Sequence, residues 1–302
     1  MKSNSIDISI VIPFYKGENF IYDLLMVIDA AYRKETNILV EVIIVIDSME
    51  TSIEQLQQTI SINYFQLFPI VCIKNLKNSG VAASRNAGIA IANGRFLLLI
   101  DQDDKIEECF FQELVKIEYN NYDFILFNGS YFFVNKNKSV PIFIISPKIN
   151  LRNIILNDII RSPGQVLMKK DLLEKYRFPL PQKFAGADDK FCWIRLFFNY
   201  PTIKTYYHRK LLYIAQIHDN NVSNNYMQLY FSCLELWSDL LIKEPNLLLT
   251  NKKIIQQSIY YYKYETKKLV GYQEIILGFI ASIKYHINLN KIIVFLLKKL
   301  AL

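Results

Sequence analysis

The stretch "FLLLIDQDDKI", Phe96 to Ile106, sets Asp101, Asp103 and Asp104 directly behind an apolar run that reads as a buried strand. Carboxylates packed this tightly repel one another, so either water screens them or a cation sits among them. Asp101 and Asp103, one residue apart, can ligate a divalent ion through oxygen; magnesium binds one or two carboxylates this way and completes its shell with waters and substrate phosphates. Such an ion neutralises phosphate charge and polarises a leaving oxygen. A solvated acidic turn that caps the next helix would use the same residues with no ligand at all. A second stretch, "NSGVAASRNAG" from Asn78 to Gly88, places two glycines around Arg85 and Asn86 at a helix start. Backbone N–H groups and a guanidinium there suit an anion. The same small residues suit a helix lying close against a sheet.

The elements that must position these residues alternate along the first hundred positions. Ile8–Pro13, Val40–Ile46, Ile70–Ile73 and Phe96–Ile100 are apolar strands; Ile21, Leu24, Leu25, Ile28 and Ala31 recur at helical spacing, and Ile53–Ile60 and Gly80–Gly94 predict two further helices. Apolar strands separated by helices imply a parallel sheet covered on both faces. Ligands of such a sheet sit beyond the carboxyl ends of its strands, and those ends carry Pro13-Phe14-Tyr15, Asp47 and Asp101-Gln102-Asp103. Past Glu107 the alternation loosens. "DFILFNGSYFFV" and "GQVLMKK" read as strands, "DDKFCWIRLFF" as a helix, "TIKTYYHRKLLYIAQIH" as two strands, and everything after Asn225 as helix.

A hydrophobic fraction of 52% over 302 residues supports a sizeable core and excludes a disordered chain. Cys72, Cys109, Cys192 and Cys233 lie far apart with no C-x-x-C pair, which predicts reduced, buried thiols in a cytosolic setting rather than disulfides or a zinc site. The net charge of +7 is local, because ten lysines and three glutamates fall between Lys243 and Leu302 and the rest of the chain is neutral. A basic tail argues for an acidic surface beside it, and its interleaved aliphatic runs argue against nucleic acid. No signal peptide is visible and "IILGFIASI" is too short to span a bilayer, so the expected location is the cytoplasm, soluble or peripheral on the cytoplasmic membrane face.

Taken in order, these motifs resemble a family 2 glycosyltransferase of the GT-A fold, as found in bacterial polysaccharide or glycoconjugate synthesis. The family's P-x-Y-N-x-E is present as Pro13-Phe14-Tyr15-Lys16-Gly17-Glu18, with Lys where the pattern has Asn. Its D-D-G-S is present as Asp47-Ser48-Met49-Glu50, which keeps only the first Asp. The N-x-G-x-S-x-A-R-N-x-G signature appears as Asn78, Gly80, Ala82, Ser84, Arg85, Asn86 and Gly88, with Ser and Ala exchanged, and D-x-D-D is intact at Asp101 to Asp104. The resemblance spans roughly residues 6–220. It implies an α/β, Rossmann-like fold with a mostly parallel central sheet, helices on both faces and a C-terminal helical extension. Residues 1–225 would be the catalytic domain (1–105 the nucleotide-sugar half, 106–225 the acceptor half), and 226–302 a basic, amphipathic helical region.

The implied reaction moves one hexosyl or N-acetylhexosaminyl unit, with inversion, from a nucleoside diphosphate sugar (UDP first) to a saccharide or lipid-linked acceptor, with Mn2+ or Mg2+. By the same resemblance, Asp47 contacts the base and Pro13, Phe14 and Tyr15 line its pocket. Glu18, Asn78, Gly80 and Gln102 join the nucleotide-sugar site, Arg85 lies beside the nucleotide, Asp101 near the ribose or the metal, and Asp103 on the metal. Family members also carry an E-D pair with an Arg six residues after the Asp, matched here by Asp188-Asp189 and Arg195. Inverting transfer needs a carboxylate opposite the leaving diphosphate to take the acceptor's proton; Asp189 is the expected base and Asp188 the alternative, unless both simply cap the helix. His218, just beyond the last strand, would lie near the metal or diphosphate, or else be merely exposed. The polymerising relatives' Q-x-x-R-W segment is absent, so transfer should be non-processive. A sugar nucleotidyltransferase would want a glycine-rich loop after the first strand, which "PFYKGENF" lacks; a nucleotide-sugar-binding protein without transfer activity stays open because D-D-G-S is damaged. Finally, Lys284, Lys291 and Lys298 recur every seven residues, opposite Leu289, Ile292, Ile293, Leu296 and Leu300. Such a helix can lie in an anionic bilayer surface or pack on the body of the protein or a second subunit.

Overall fold

A computed structural model describes residues 5–61, 65, 67–180, 183–218, 225–268 and 271–286. The strands are β1 (Ile8–Phe14), β2 (Val40–Ile46), β3 (Ile70–Lys74), β4 (Phe96–Leu99), β5 (Lys105–Ile106), β6 (Phe124–Phe133), β7 (Lys138–Pro141), β8 (Val166–Lys169) and β9 (Thr205–Ile217). The helices are α1 (Glu18–Arg33), α2 (Ile53–Thr59), α3 (Val81–Ile91), α4 (Phe110–Lys116), α5 (Leu151–Asn157), α6 (Lys170–Lys175), α7 (Asp188–Asn199), α8 (Tyr226–Lys243), α9 (Pro245–Glu265) and α10 (Tyr272–His286). They group into two compact units. One comprises Met1–Phe132, Ser162–Phe178 and Ile203–Gln216; the other comprises Phe133–Arg161, Pro179–Thr202 and Ile217–Leu302.

In the first unit the sheet runs β3-β2-β1-β4-β8-β6-β9-β5. β1 pairs in parallel with β2 and β4, and β2 with β3. Every residue of β1 and β2 is buried, as expected of central strands covered by helices on both faces. β3 reads like its neighbours in sequence but is half-exposed, because it forms the edge of the sheet. The helix α3 lies on β1 and β2, and a side chain at Gly88 would collide with Val11 and press on Val45. That close approach is what the small residues of the segment provide.

The parallel order stops at β4. β8 joins antiparallel to it, β6 antiparallel to β8, and β5 antiparallel to β9. "TIKTYYHRKLLYIAQIH" holds one long strand, β9, rather than the two expected, since it contains no Gly, Pro, Asn or Asp to turn the chain. All four cysteines are free, but only Cys192 and Cys233 are buried; Cys72 lies on the edge strand and Cys109 is half-buried. Burial pushes the Cys233 thiol up to about 12, which keeps it protonated and inert.

The second unit is mainly helical, with α8 packed on α9 and α9 on α10. α10 leaves Ile275, Ile276, Phe279, Ile280 and Ile283 exposed. Lys291 and Lys298, with the apolar residues set opposite them, lie outside the described residues. No helix among the described residues is long and apolar enough to cross a membrane.

Candidate functional site

In the first unit β1, β2 and β3 end level with one another, at Phe14, Ile46 and Lys74, while β4 ends earlier, at Leu99 opposite Val11. Phe14 is in register with Ile46, the Asp47 N–H donates to the Phe14 carbonyl (2.8 Å), and the Ile100 N–H donates to the Val11 carbonyl (3.1 Å). The residues that follow therefore emerge along one rim. Of the three expected to line a base pocket there, Phe14 is wholly buried in the core and Pro13 is buried beside it, whereas Tyr15 is 47% exposed. Strand alternation turns the Phe14 side chain into the core, beneath the rim.

Asp47 anchors the start of α3. Its Oδ1 accepts from Asn75 Nδ2 (2.7 Å) and the Ser79 N–H (2.8 Å), and its Oδ2 accepts from the Gly80 N–H (2.7 Å). Gly80 is thus the residue through which the loop and Asp47 meet, and Asn78 is exposed on the same loop. Arg85, buried on α3, donates from Nη2 to Asp101 Oδ1 at 2.7 Å, and its guanidinium lies 5.4 Å from the centroid of the Phe178 ring. Its neighbour Asn86 exchanges two hydrogen bonds with the Phe178 backbone (2.9 and 3.0 Å). The Arg-Asn pair thus couples the acidic turn to the segment after α6.

Gln102 bonds across the rim to the backbone of Tyr15. Its Oε1 accepts from the Tyr15 N–H (2.9 Å) and its Nε2 donates to the Tyr15 carbonyl (3.0 Å), clamping the end of β1 from across the rim. A side chain at Gly17 would collide with this amide (2.5 Å from Nε2). Gln102 is therefore a positioning residue. Glu18 opens α1, half-buried, where a carboxylate complements the helix N-terminus.

The acids of the D-x-D-D run separate sharply. Asp101 and Asp103 are half-buried at the rim, while Asp104 is 6% exposed. Asp104 takes a short hydrogen bond from the Tyr213 hydroxyl and another from the Gln216 N–H (3.2 Å), tying the turn to β9. Burial, followed by the charges of Asp101 and Asp103, holds the Asp104 carboxyl well above the usual carboxylate range. The same crowding of negative charge suits a divalent cation at Asp101 and Asp103. Among the described residues no group of three or more His, Cys, Asp or Glu side chains is arranged to hold a metal alone. The pair fits a hard ion of the Mg2+ or Mn2+ kind only with waters and substrate oxygens completing the shell.

In the second unit, α7 begins with the second acid pair. Asp188 is 3% exposed, whereas Asp189 is half-buried and accepts from the Lys190 N–H at Oδ1 (2.6 Å). Lys190 is buried: its Nζ donates to the Tyr262 hydroxyl (2.8 Å), faces that ring at 5.5 Å, and lies 3.7 Å from Asp158. Arg195 lies half-buried further along α7, and His218 follows β9, half-buried.

Two features escaped the sequence reading. The Asp104–Tyr213 bond joins residues 109 positions apart, which no local pattern marks. Lys16 Nζ lies 3.0–3.1 Å from the Glu50 carboxylate, so two of the departures from the family pattern touch each other.

Residues 9–177, more than half of the chain, match the family described as Glycosyl transferase family 2. EpsH of Bacillus subtilis is 24% identical over 232 residues, covering 74% of this chain and 64% of EpsH, so the chain spans less than two thirds of that relative's length. The UDP-Glc:alpha-D-GlcNAc-diphosphoundecaprenol beta-1,3-glucosyltransferase WfgD of Escherichia coli is 29% identical over 132 residues, 41% of this chain and 48% of WfgD. S. aureus TarS 1-349 in complex with UDP-GlcNAc superposes with a TM-score of 0.63 at 20% identity, covering 91% of this chain and 79% of TarS 1-349. The mannosyltransferase PcManGT from Pyrobaculum calidifontis, in complex with GDP-Man and Mn2+, gives 0.55 at 11% identity, covering 93% and 81%. At these identities the structural likeness bears on the fold, which is the GT-A-like α/β architecture expected from the motifs, with α8–α10 as the C-terminal helices.

Proposed function

Because the chain belongs to glycosyl transferase family 2, we propose that it moves a single sugar, with inversion, from a nucleoside diphosphate donor to a saccharide or lipid-linked acceptor. The observation that carries this reading is the rim of the first unit, where Tyr15, Asp47, Asp101 and Asp103 follow the ends of three parallel strands and Arg85 is tied to Asp101. UDP is the first nucleotide to test, since TarS was solved with UDP-GlcNAc and the name of WfgD specifies UDP-Glc. The diphosphoundecaprenol in that name makes a lipid-linked acceptor the first to try.

Tyr15 and the loop held by Asp47 would receive the nucleoside, and Arg85 would keep Asp101 oriented. Asp103, with Asp101, would hold Mn2+ or Mg2+; when bound, the ion neutralises charge on the departing diphosphate. The acceptor oxygen attacks the anomeric carbon as the bond to the diphosphate oxygen breaks, through an oxocarbenium-like transition state. Asp189 takes the acceptor hydroxyl's proton; its partial exposure suits exchange with a substrate better than the burial of Asp188 does. Contact with an anionic bilayer through the C-terminal helices is part of the same proposal. It is supported by the exposed apolar residues of α10 and by the charge of the tail. Deleting Lys284 to Leu302 should release the chain from anionic vesicles without unfolding it.

The decisive experiment is thermal stabilisation by UDP, GDP, dTDP and CDP, each with and without Mn2+, because a ligand that binds only the folded chain raises Tm by mass action. One nucleotide should stabilise strongly, and more so with metal. Stabilisation by none of the four would sink the reading.

A further inference from the structure

Among the described residues, six that are not glycine have positive φ: Lys16, Ser61, Glu118, Asn137, Asp158 and Lys267. Five of them close or follow the last turn of a helix, where the left-handed conformation is an ordinary stop. Lys16, at φ 47°, instead joins the end of β1 to the start of α1. Gln102 clamps the preceding residue, and Gly17 passes so close to that amide that the chain has little other route. Asn tolerates this conformation better than Lys does.

Stability does not explain the lysine. Its side chain is 49% exposed and that of its partner Glu50 is 76% exposed, and exposed ion pairs contribute little to folding. The pair is nevertheless well placed. Lys16 Nζ lies between the two Glu50 oxygens (3.1 and 3.0 Å) and 5.6 Å from the centroid of the Tyr15 ring. Glu50 sits on a short loop pinned by the Lys74 ammonium donating to the Met49 carbonyl (3.1 Å) and by the Ser52–Gln55 capping box of α2. The backbone of Lys16 is thus fixed at the donor rim while its long stem leaves the ammonium free to swing.

We propose that Lys16 is a donor-binding residue whose ammonium is held by Glu50 in the free protein and passes to the diphosphate of the nucleotide when it binds. This rests on the donor-site reading of the rim. A diphosphate carries more negative charge than one carboxylate, and Lys binds phosphate as a point charge. Glu50 is then a competitor, so the two partners should behave oppositely when altered. A pair that served only to shape the loop would lose binding from either side.

The test measures the Kd of whichever of UDP, GDP, dTDP and CDP stabilises the wild-type chain, with Mn2+ present, alongside the matching nucleoside. Lys16→Asn should weaken diphosphate binding about tenfold without lowering Tm, as loss of one charged hydrogen bond predicts. Glu50→Gln should tighten it, most at low salt. Nucleoside affinity should stay unchanged in both. Equal or same-direction changes in the two variants, or an equal loss for the nucleoside, would overturn the inference. If the wild type binds a nucleotide and Lys16→Asn binds it equally, this inference alone falls; if the wild type binds none of the four, the donor reading falls with it.

Discussion

The two acid runs, Asp101–Asp104 on one unit and Asp188-Asp189 on the other, solve the same problem alike. In each, one carboxylate is buried and its neighbour in the run stays half-exposed: Asp104 against Asp103, and Asp188 against Asp189. The buried member of the first run works for the fold, accepting from Tyr213 and the Gln216 backbone. The half-exposed members are the ones proposed above to meet a substrate or an ion. If that proposal holds, adjacent acids of one type divide into anchors and reagents by packing, and replacing each member should produce a different kind of failure.

The largest effect should come from the reagent of the second run. Asp189→Asn is expected to lower turnover by roughly 10²–10⁴-fold, the usual worth of a general base, while nucleotide binding stays near wild type. Wild-type turnover in this variant would end the assignment and shift attention to Asp188. Next is the reagent of the first run. Asp103→Asn should abolish the difference that Mn2+ makes to nucleotide stabilisation, and should leave the Tm without nucleotide nearly unchanged. A variant that still binds more tightly with metal would place the ion elsewhere.

Replacing the anchor should do the reverse. Asp104→Leu strands the Tyr213 hydroxyl and the Gln216 N–H in the interior, at a cost of about 1–3 kcal/mol for each unsatisfied group. The urea midpoint should fall accordingly, yet the fraction that remains folded should keep its response to metal. A variant with normal stability and no metal response would mean that Asp104 is itself a ligand.

What the sequence could and could not show follows from the same division. Continuous apolar strands separated by helices led to β1, β2 and β4, and hence to the rim, because both faces of those strands are buried. The same pattern did not mark β3 as an edge, since an edge is defined by a missing neighbour rather than by its own residues. D-x-D-D located the turn but could not separate Asp103 from Asp104, because the partner that buries Asp104 lies on β9, 109 residues away. The family resemblance also placed Phe14 and Gln102 in the nucleotide-sugar site. Alternation turns the first into the core, and the second bonds to the Tyr15 backbone, both decided by the three-dimensional neighbour rather than by spacing.

The smallest effect concerns a buried and titratable group with no chemical role, which calibrates the other pairs. His208 on β9 is buried, with Nε2 3.6 Å from Glu113, which also accepts from Lys116 and Lys210. Burial is the main influence and lowers the His208 pKa below its usual 6.5; the Glu113 charge acts in the opposite sense. Well above pH 6.5 the imidazole is neutral in both folded and unfolded chains and contributes no pH dependence. As pH falls through 6.5 the unfolded chain takes up the proton first, so the unfolded state is favoured and stability declines until the folded-state pKa is passed. Melting temperatures measured between pH 7.5 and 5.5 should therefore slope downward on the acid side, and His208→Gln should flatten that slope whatever it does to the absolute Tm. An unchanged slope would show that the acid sensitivity arises elsewhere, and not from Asp104, whose raised pKa makes its own contribution grow as pH falls.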